Sequence, residues 1–284
     1  MAGWAMVTPA VFLLIVFFAV PVGLCFLLAF TNARMISPTP TRFIGLDNFA
    51  RLLQDPVFWK SLRNTAYFSL IVVPLQSAFA LLLAVLVNAK VRGTNFFRTV
   101  YFIPVVTSIV VVSILWRFMY QPTGLVNHLL QALSFNAVQG TDWLNNPGAA
   151  MPAIMFMSIW QAVGFHMVIW LAGLQTIPGE LYEAAELDGA GRWEKFRYVT
   201  WPGLRNTRTF ILVTITIAAF SLFAQINVMT SGGPLDSTST LIFQAVRTGY
   251  EQQQTAYASA ISLAFFVIVL TVSLVQRYFT REKD

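Results

Sequence analysis

Apolar residues run along this chain in blocks of about twenty, separated by short polar stretches. A helix needs about 20 apolar residues to cross the hydrocarbon core. Six segments meet that length: 8–30, 65–87, 99–118, 151–175, 209–229 and 257–276. They are too long and too uniformly apolar for barrel strands, so the pattern predicts an all-α membrane protein of six spans. The whole of 1–284 reads as one transmembrane domain. Pro21, Pro74, Pro104 and Pro152 fall inside or near spans, where they are expected to bend helices rather than end them. The first span lacks a basic leader and exceeds a signal-peptide core, which predicts a retained span. Leu46 to Leu62 has an amphipathic pattern, expected to lie as a helix at the membrane interface with Phe49, Leu52, Leu53 and Phe58 on its apolar side.

Composition sharpens this picture. The chain is 57% hydrophobic and 11% charged, against about 25% charged in soluble domains. Its net charge of +6 reflects membrane orientation rather than nucleic-acid binding. With both termini cytoplasmic, eleven Lys and Arg lie inside: Lys90, Arg92, Arg98, Arg192, Lys195, Arg197, Arg205, Arg208, Arg277, Arg281 and Lys283. Six lie outside (Arg34, Arg42, Arg51, Lys60, Arg63 and Arg247), and Arg117 sits at the outer end of span three. That bias orients the chain. Cys25 stands alone, so an internal disulfide is excluded.

The spans hold no acid or base well inside them; His166 is their one ionisable group. Proton transfer needs such groups, which argues against a proton-driven carrier and leaves a sodium site made of backbone carbonyls, or an ATP-independent channel, as the alternative. The phosphate-binding G-x-x-x-x-G-K-[ST] loop is missing from the sequence, and so is a G-x-S-x-G elbow. His128 and His166 are far apart and have no Cys pairs beside them, so no metal site is expected. The sequence therefore reads as a pore or carrier body, not an enzyme, into which energy for uphill transport would enter from a partner.

One stretch breaks the apolar pattern. "ELYEAAELDGAGRWEKFR", 180–197, has eight charged residues in eighteen positions. Pro178 suits a first helical turn, and Glu180 and Glu183 suit its positive end. Leu181, Ala184 and Ala185 form a slim apolar face, fit for a groove on another protein. Gly189 and Gly191 are expected to end that helix. A second helix is expected from Arg192 to about Thr200, with Trp193, Phe196 and Thr200 on one face and Pro202 as its stop.

These residues carry a resemblance. Glu183-Ala184-Ala185, Asp188-Gly189-Ala190, Phe196, Val199 and Pro202 follow the spacing of the EAA loop of binding-protein-dependent ABC importer permeases. Trp201 stands where Leu is usual and Asn206 where a second Pro is common. "FIGLDNFARLL", "FFRTVYFIPVV", "DWLNNP", "IWQAVGFHMVIWLAGLQTIP" and "MTSGGPLDSTSTLI" extend the likeness to the carbohydrate subgroup, with the maltose and glycerol-phosphate permeases.

The resemblance implies a type I importer permease in a prokaryotic inner membrane, with the loop at 178–207 carrying a coupling helix between spans four and five. It implies a second homologous permease, two ABC ATPase subunits binding ATP and Mg, and an extracytoplasmic solute-binding protein. This chain would hold no cofactor or metal of its own. For a sugar or oligosaccharide pathway, polar groups in spans four and five are the candidates: Trp160, Gln161, His166, Ser221, Gln225 and Asn227. Gln225 ranks first and Asn227 second. Without a cationic pair in the spans, an uncharged saccharide is expected over glycerol phosphate, and an importer of the same architecture for glycerol phosphate or a polyol is the alternative. The polar stretch 230–239 reads as an external loop that turns or edges the pore.

Overall fold

The computed structural model describes residues 2–36, 40–88, 94–135 and 140–280. Lys90, Arg92, Arg281 and Lys283, counted above for orientation, lie outside them. Among the described residues the fold is helical, with one isolated bridge, Thr31 to Phe43.

Span one comprises α1 (Ala2–Leu14), a π-helical turn at Ile15–Ala19 and α2 (Val20–Leu28). The π turn lies just before Pro21, where a missing N–H loosens the ladder. The interfacial segment is not one helix. It splits into α3 (Asp47–Gln54) and the start of α4 (Pro56–Asn88), because Asp55 is extended and its carboxylate accepts from Val57 N at 2.8 Å, opening a new helix. The 33-residue α4 runs unbroken through Pro74.

Span three is broken. Helices α5 (Thr94–Val106) and α6 (Ile109–Met119) meet at 96° across Thr107 and Ser108. Pro104 was expected to bend this helix; instead the helix stops two residues later, with Ser108 extended (φ −54°, ψ 130°). The Pro104 carbonyl accepts from Gln161 Nε2 at 3.3 Å, and Thr107 Oγ1 donates to Ile103 O at 3.2 Å. Neighbouring side chains thus satisfy backbone that the membrane cannot.

After the short α7 (Leu125–Leu133), α8 (Ala150–Gln175) forms span four, with Pro152 harmless in its first turn. Next come α9 (Gly179–Leu187), α10 (Arg192–Lys195), a π turn at Phe196–Thr200 and α11 (Trp201–Gly203). Span five is α12 (Arg205–Phe220), which breaks at Ser221 and resumes as α13 (Ala224–Met229). Finally, α14 (Leu241–Val246) and a π turn at Arg247–Glu251 lead to α15 (Thr255–Thr280), span six.

The core is built on α4 packed along α8. Ala80 and Ala84 on α4 are fully buried against Met167, Trp170 and Leu174 of α8, and against Ile211 and Ile215 of α12. Small residues allow such close contact where no water-exclusion force drives helices together. Gly164 of α8 is the extreme case: a Cβ there would lie 2.0 Å from Tyr101 O of α5. A second cluster joins Phe68 and Val72 to Val112, Trp116, Met157, Ile226 and Met229.

Candidate functional site

The charged island folds into a closed unit. The end of α9 is a double-bonded glycine cap: Ala190 N donates to Ala185 O at 2.9 Å and Gly189 N to Glu186 O at 3.0 Å. Gly189 adopts φ +81°, a left-handed geometry that glycine takes without steric cost. Gly191 does not share the stop. It is extended (φ −70°, ψ 174°) and opens α10, with its N–H donating to Glu194 Oε2 at 2.6 Å.

Nor does Pro202 end the second helix. The helical path continues through the π turn and α11 to Leu204, because the wider π turn absorbs the register before a Pro placed early in its own helix. Tyr182 and Thr200 hydroxyls lie 3.0 Å apart and tie the two arms together. Lys195 Nζ donates to Glu186 Oε2 at 2.7 Å and holds that carboxyl below its usual pKa.

The outer surface of this unit has no cover. Glu183, Ala184 and Asp188 are exposed, while Ala185 and Ala190 are half-buried. Leu187 is 91% exposed, Trp193 69% and Tyr198 70%. Trp193 stacks on Phe196 with centroids 5.7 Å apart, and Arg208 lies over Trp201 at 4.6 Å. Large apolar side chains are thus exposed beside ordered carboxylates on one face of the unit.

The six span candidates divide into two kinds. Gln161 caps Pro104, and His166 is buried with Nδ1 2.9 Å from Gln76 Nε2 and 3.1 Å from Ala162 O. Both tie spans together. Gln76 was missed in the sequence reading, although the rule applied to spans four and five, that a polar side chain in a span needs a reason, also selects it. By contrast, Gln225, Asn227, Ser221 and Trp160 make no side-chain hydrogen bond among the described residues. Ser221 and Asn227 are exposed and Gln225 is half-buried, on the broken stretch of span five against α6. Arg117 of α6 donates to Val228 O at 3.4 Å across this contact. Trp160 packs edge-on against Trp116 at 5.4 Å and lines an apolar groove of about 660 Å³ between α4, α5 and α8.

The loop at 230–240 is neither free nor a simple turn. Asn64 Nδ2 donates to Asp236 O (2.9 Å) and Ser239 O (3.0 Å), and Ser61 and Ser239 hydroxyls lie 2.9 Å apart. Leu241 N donates to Thr65 Oγ1 at 3.1 Å, and Thr240 Oγ1 to Leu222 O at 2.8 Å. The loop therefore buckles the broken end of span five onto the start of span two.

Residues 76–283 match the family described as "Binding-protein-dependent transport system inner membrane component". The chain is similar to the probable ABC transporter permease YurN of Bacillus subtilis, 36% identical over 96% of this chain and 94% of the relative. It is also similar to the lactose transport system permease LacF of Rhizobium radiobacter, 34% identical over 99% and 94%. The fold matches a bacterial alginate ABC transporter crystallised with an alginate pentasaccharide-bound periplasmic protein: TM-score 0.84 and 24% identity, over 98% of this chain and 93% of that one.

Proposed function

Because the chain belongs to the binding-protein-dependent transport system inner membrane components, we propose that it is one transmembrane half of an ATP-driven importer for a sugar or oligosaccharide. In this reading a second, related permease completes the pore. Two ATPase subunits bind ATP and Mg below it, and a solute-binding protein delivers the sugar from above. Both termini face the cytoplasm, as the Lys and Arg distribution favours. The lactose permease similarity supports a saccharide solute.

The observation that carries the proposal is the pre-ordered island at 178–207. Helix α9 is closed at Gly189, braced by Tyr182–Thr200 and Lys195–Glu186, and presents unpartnered apolar surface. A rigid projecting helix transmits force where a floppy loop would not. Closure of the ATPase pair pushes α9, and α8 and α12, continuous with the island on either side, rock as rigid bodies. The solute changes side without any bond being made or broken. Gln225 and Asn227, with their amide groups unused, are the first residues of this chain expected to meet sugar hydroxyls.

Co-purification in mild detergent with mass spectrometry tests this. An ATPase, a second permease and a binding protein are expected in the eluate. A chain that elutes alone or only with itself overturns the importer reading.

A further inference from the structure

The far end of the bundle, opposite the island, holds a second cavity that the proposed pathway does not use. It measures about 510 Å³ and lies where the first turns of α4 meet the 147–152 segment and the 235–237 loop. Lys60, Arg63, Asn64 and Tyr67 line it from α4, at positions i, i+3, i+4 and i+7, so one helix face supplies both cations and the aromatic ring. Pro147 and Ser237 close it from the other two sides.

Neither charge is neutralised. Lys60 Nζ donates to the Leu235 carbonyl, and neither Lys60 nor Arg63 has an acidic partner among the described residues. The acid closest in sequence to the loop wall, Asp236, turns its carboxylate to Arg247 at 3.5 Å. Lys60 and Arg63 are the fifth and eighth residues of α4, past its first turn, so the helix end neither favours nor opposes them. Apart from the Lys60 bond to the Leu235 carbonyl, the described residues give them no partner.

Tyr67 and Pro152 also line the apolar groove that leads to Trp160. The face continues along α4 as Ile71, Leu75, Phe79 and Leu82. A positively charged mouth with an aromatic wall thus opens onto a strip that reaches a sequence-predicted pathway residue.

We propose that Lys60 and Arg63 form a mouth subsite for the carboxylate of an acidic sugar, whose ring lies against Tyr67. This rests on the saccharide-importer reading and narrows it to uronate-type solutes. It also revises the expectation of an uncharged saccharide, which considered only the interiors of the spans. Arg63 supplies a planar fork matched to a carboxylate and Lys60 a point charge. The cavity is large enough for a sugar ring.

The test is saturation-transfer NMR on the assembled importer in nanodiscs. Digalacturonate, its neutral twin galactobiose and glycerol 3-phosphate serve as probes, at low and high salt. Digalacturonate is expected to bind better than galactobiose. Lys60→Gln with Arg63→Gln weakens it about ten-fold, as expected for charge-assisted bonds, and Arg63→Lys retains most of it. Galactobiose signals stay unchanged, which shows that the variants are folded. Equal signals for the two sugars, no digalacturonate signal, or a signal insensitive to the substitutions overturns the subsite. Stronger binding of glycerol 3-phosphate overturns the carboxylate assignment. Loss of binding-protein affinity with unchanged sugar signals reassigns the cations to a protein contact and overturns the proposal as well. Uptake assays on cells with the wild-type importer separate the two levels. Neutral-sugar uptake alone leaves the importer reading standing and this one overturned, whereas uptake of no saccharide at all overturns both.

Discussion

The two ends of the bundle solve the same problem in opposite ways. At the end away from the island, polar side chains are buried and bonded within the chain. Asn127, 2% exposed, donates to the Gln121, Pro122 and Thr141 carbonyls and accepts from Thr141 N and Trp143 Nε1. Asn48 Nδ2 donates to Ala29 O and Thr31 O, both at 2.8 Å. Asp55 accepts from Tyr257 Oη at 2.6 Å and Gln244 Nε2 at 3.2 Å, and Arg51 stacks over Tyr257 at 4.0 Å. At the island end, carboxylates and aromatic rings are ordered but face outward. Around Asn127, Asn48 and Asp55 the far end is bonded within this chain, while its Lys60–Arg63 cavity stays open; the island end is shaped but unfinished. Rigid-body rocking requires both: a frame that does not deform and a handle that something else must grip.

The largest expected effect is at the handle. Gly189→Pro cannot adopt φ +81° and loses the N–H that caps α9. Sugar uptake by the importer is expected to fall by about two orders of magnitude, as for loss of essential geometry, with normal amounts of the chain in the membrane. Near-normal uptake would break the comparison by showing that the island need not be rigid.

Next comes the frame. Asn127→Ala leaves three carbonyls and the indole N–H of Trp143 without this partner, at a cost of about 2–4 kcal/mol. Thermal unfolding in detergent is expected several degrees lower, and uptake per folded molecule unchanged. If transport falls and the melting temperature does not, Asn127 acts in transport rather than in the frame.

A smaller effect sharpens the division within the spans. Gln225→Ala is expected to alter sugar selectivity a few-fold, about 1 kcal/mol for one hydrogen bond, at unchanged thermal stability. Gln76→Leu, which removes the partner of His166, is expected to do the reverse. Uptake kinetics over a sugar panel, with melting curves alongside, read both.

The smallest effect concerns Glu186. Its folded pKa lies below the ordinary value because of Lys195. The pair's contribution is therefore full above the unfolded carboxylate pKa and is lost as pH falls through the lowered folded one. The carboxylate is exposed and screened, so Glu186→Gln is expected to flatten a shallow acid-side decline in stability, visible only at low salt.

What the sequence could reveal follows the distance over which each interaction acts. Spans and the Gly189 cap depend on neighbours within a few residues, so pattern alone locates them. Pro202 misled because the π turn before it depends on how the two arms pack, not on the proline's own preferences. The split at Asp55 was readable in principle: Asp followed by Pro is a helix start, and the amphipathic pattern across it obscured the boundary. The break at Thr107 required knowing that Gln161, on another span, would serve the freed carbonyl. Ser61–Ser239 and Leu241–Thr65 join residues some 175 positions apart, and no local pattern encodes them. Likewise, the grouping of Lys60 and Arg63 with Pro147 and Ser237 exists only in three dimensions.

Span one takes this separation furthest. Across Met6–Leu28 no residue of the apolar window is buried within the chain, and span one meets the rest of the bundle mainly where α2 leans on α15. Its place in the bilayer is set by partitioning, whereas the places of α4 and α8 are set by each other. Insertion and tertiary folding are therefore uncoupled for this helix. It can enter the membrane as an independent rod, early in synthesis, without waiting for any later span. Its sequence answers to lipid thickness and to whatever lies alongside it in the membrane, and a substitution there changes anchoring or company rather than the fold of the remaining five.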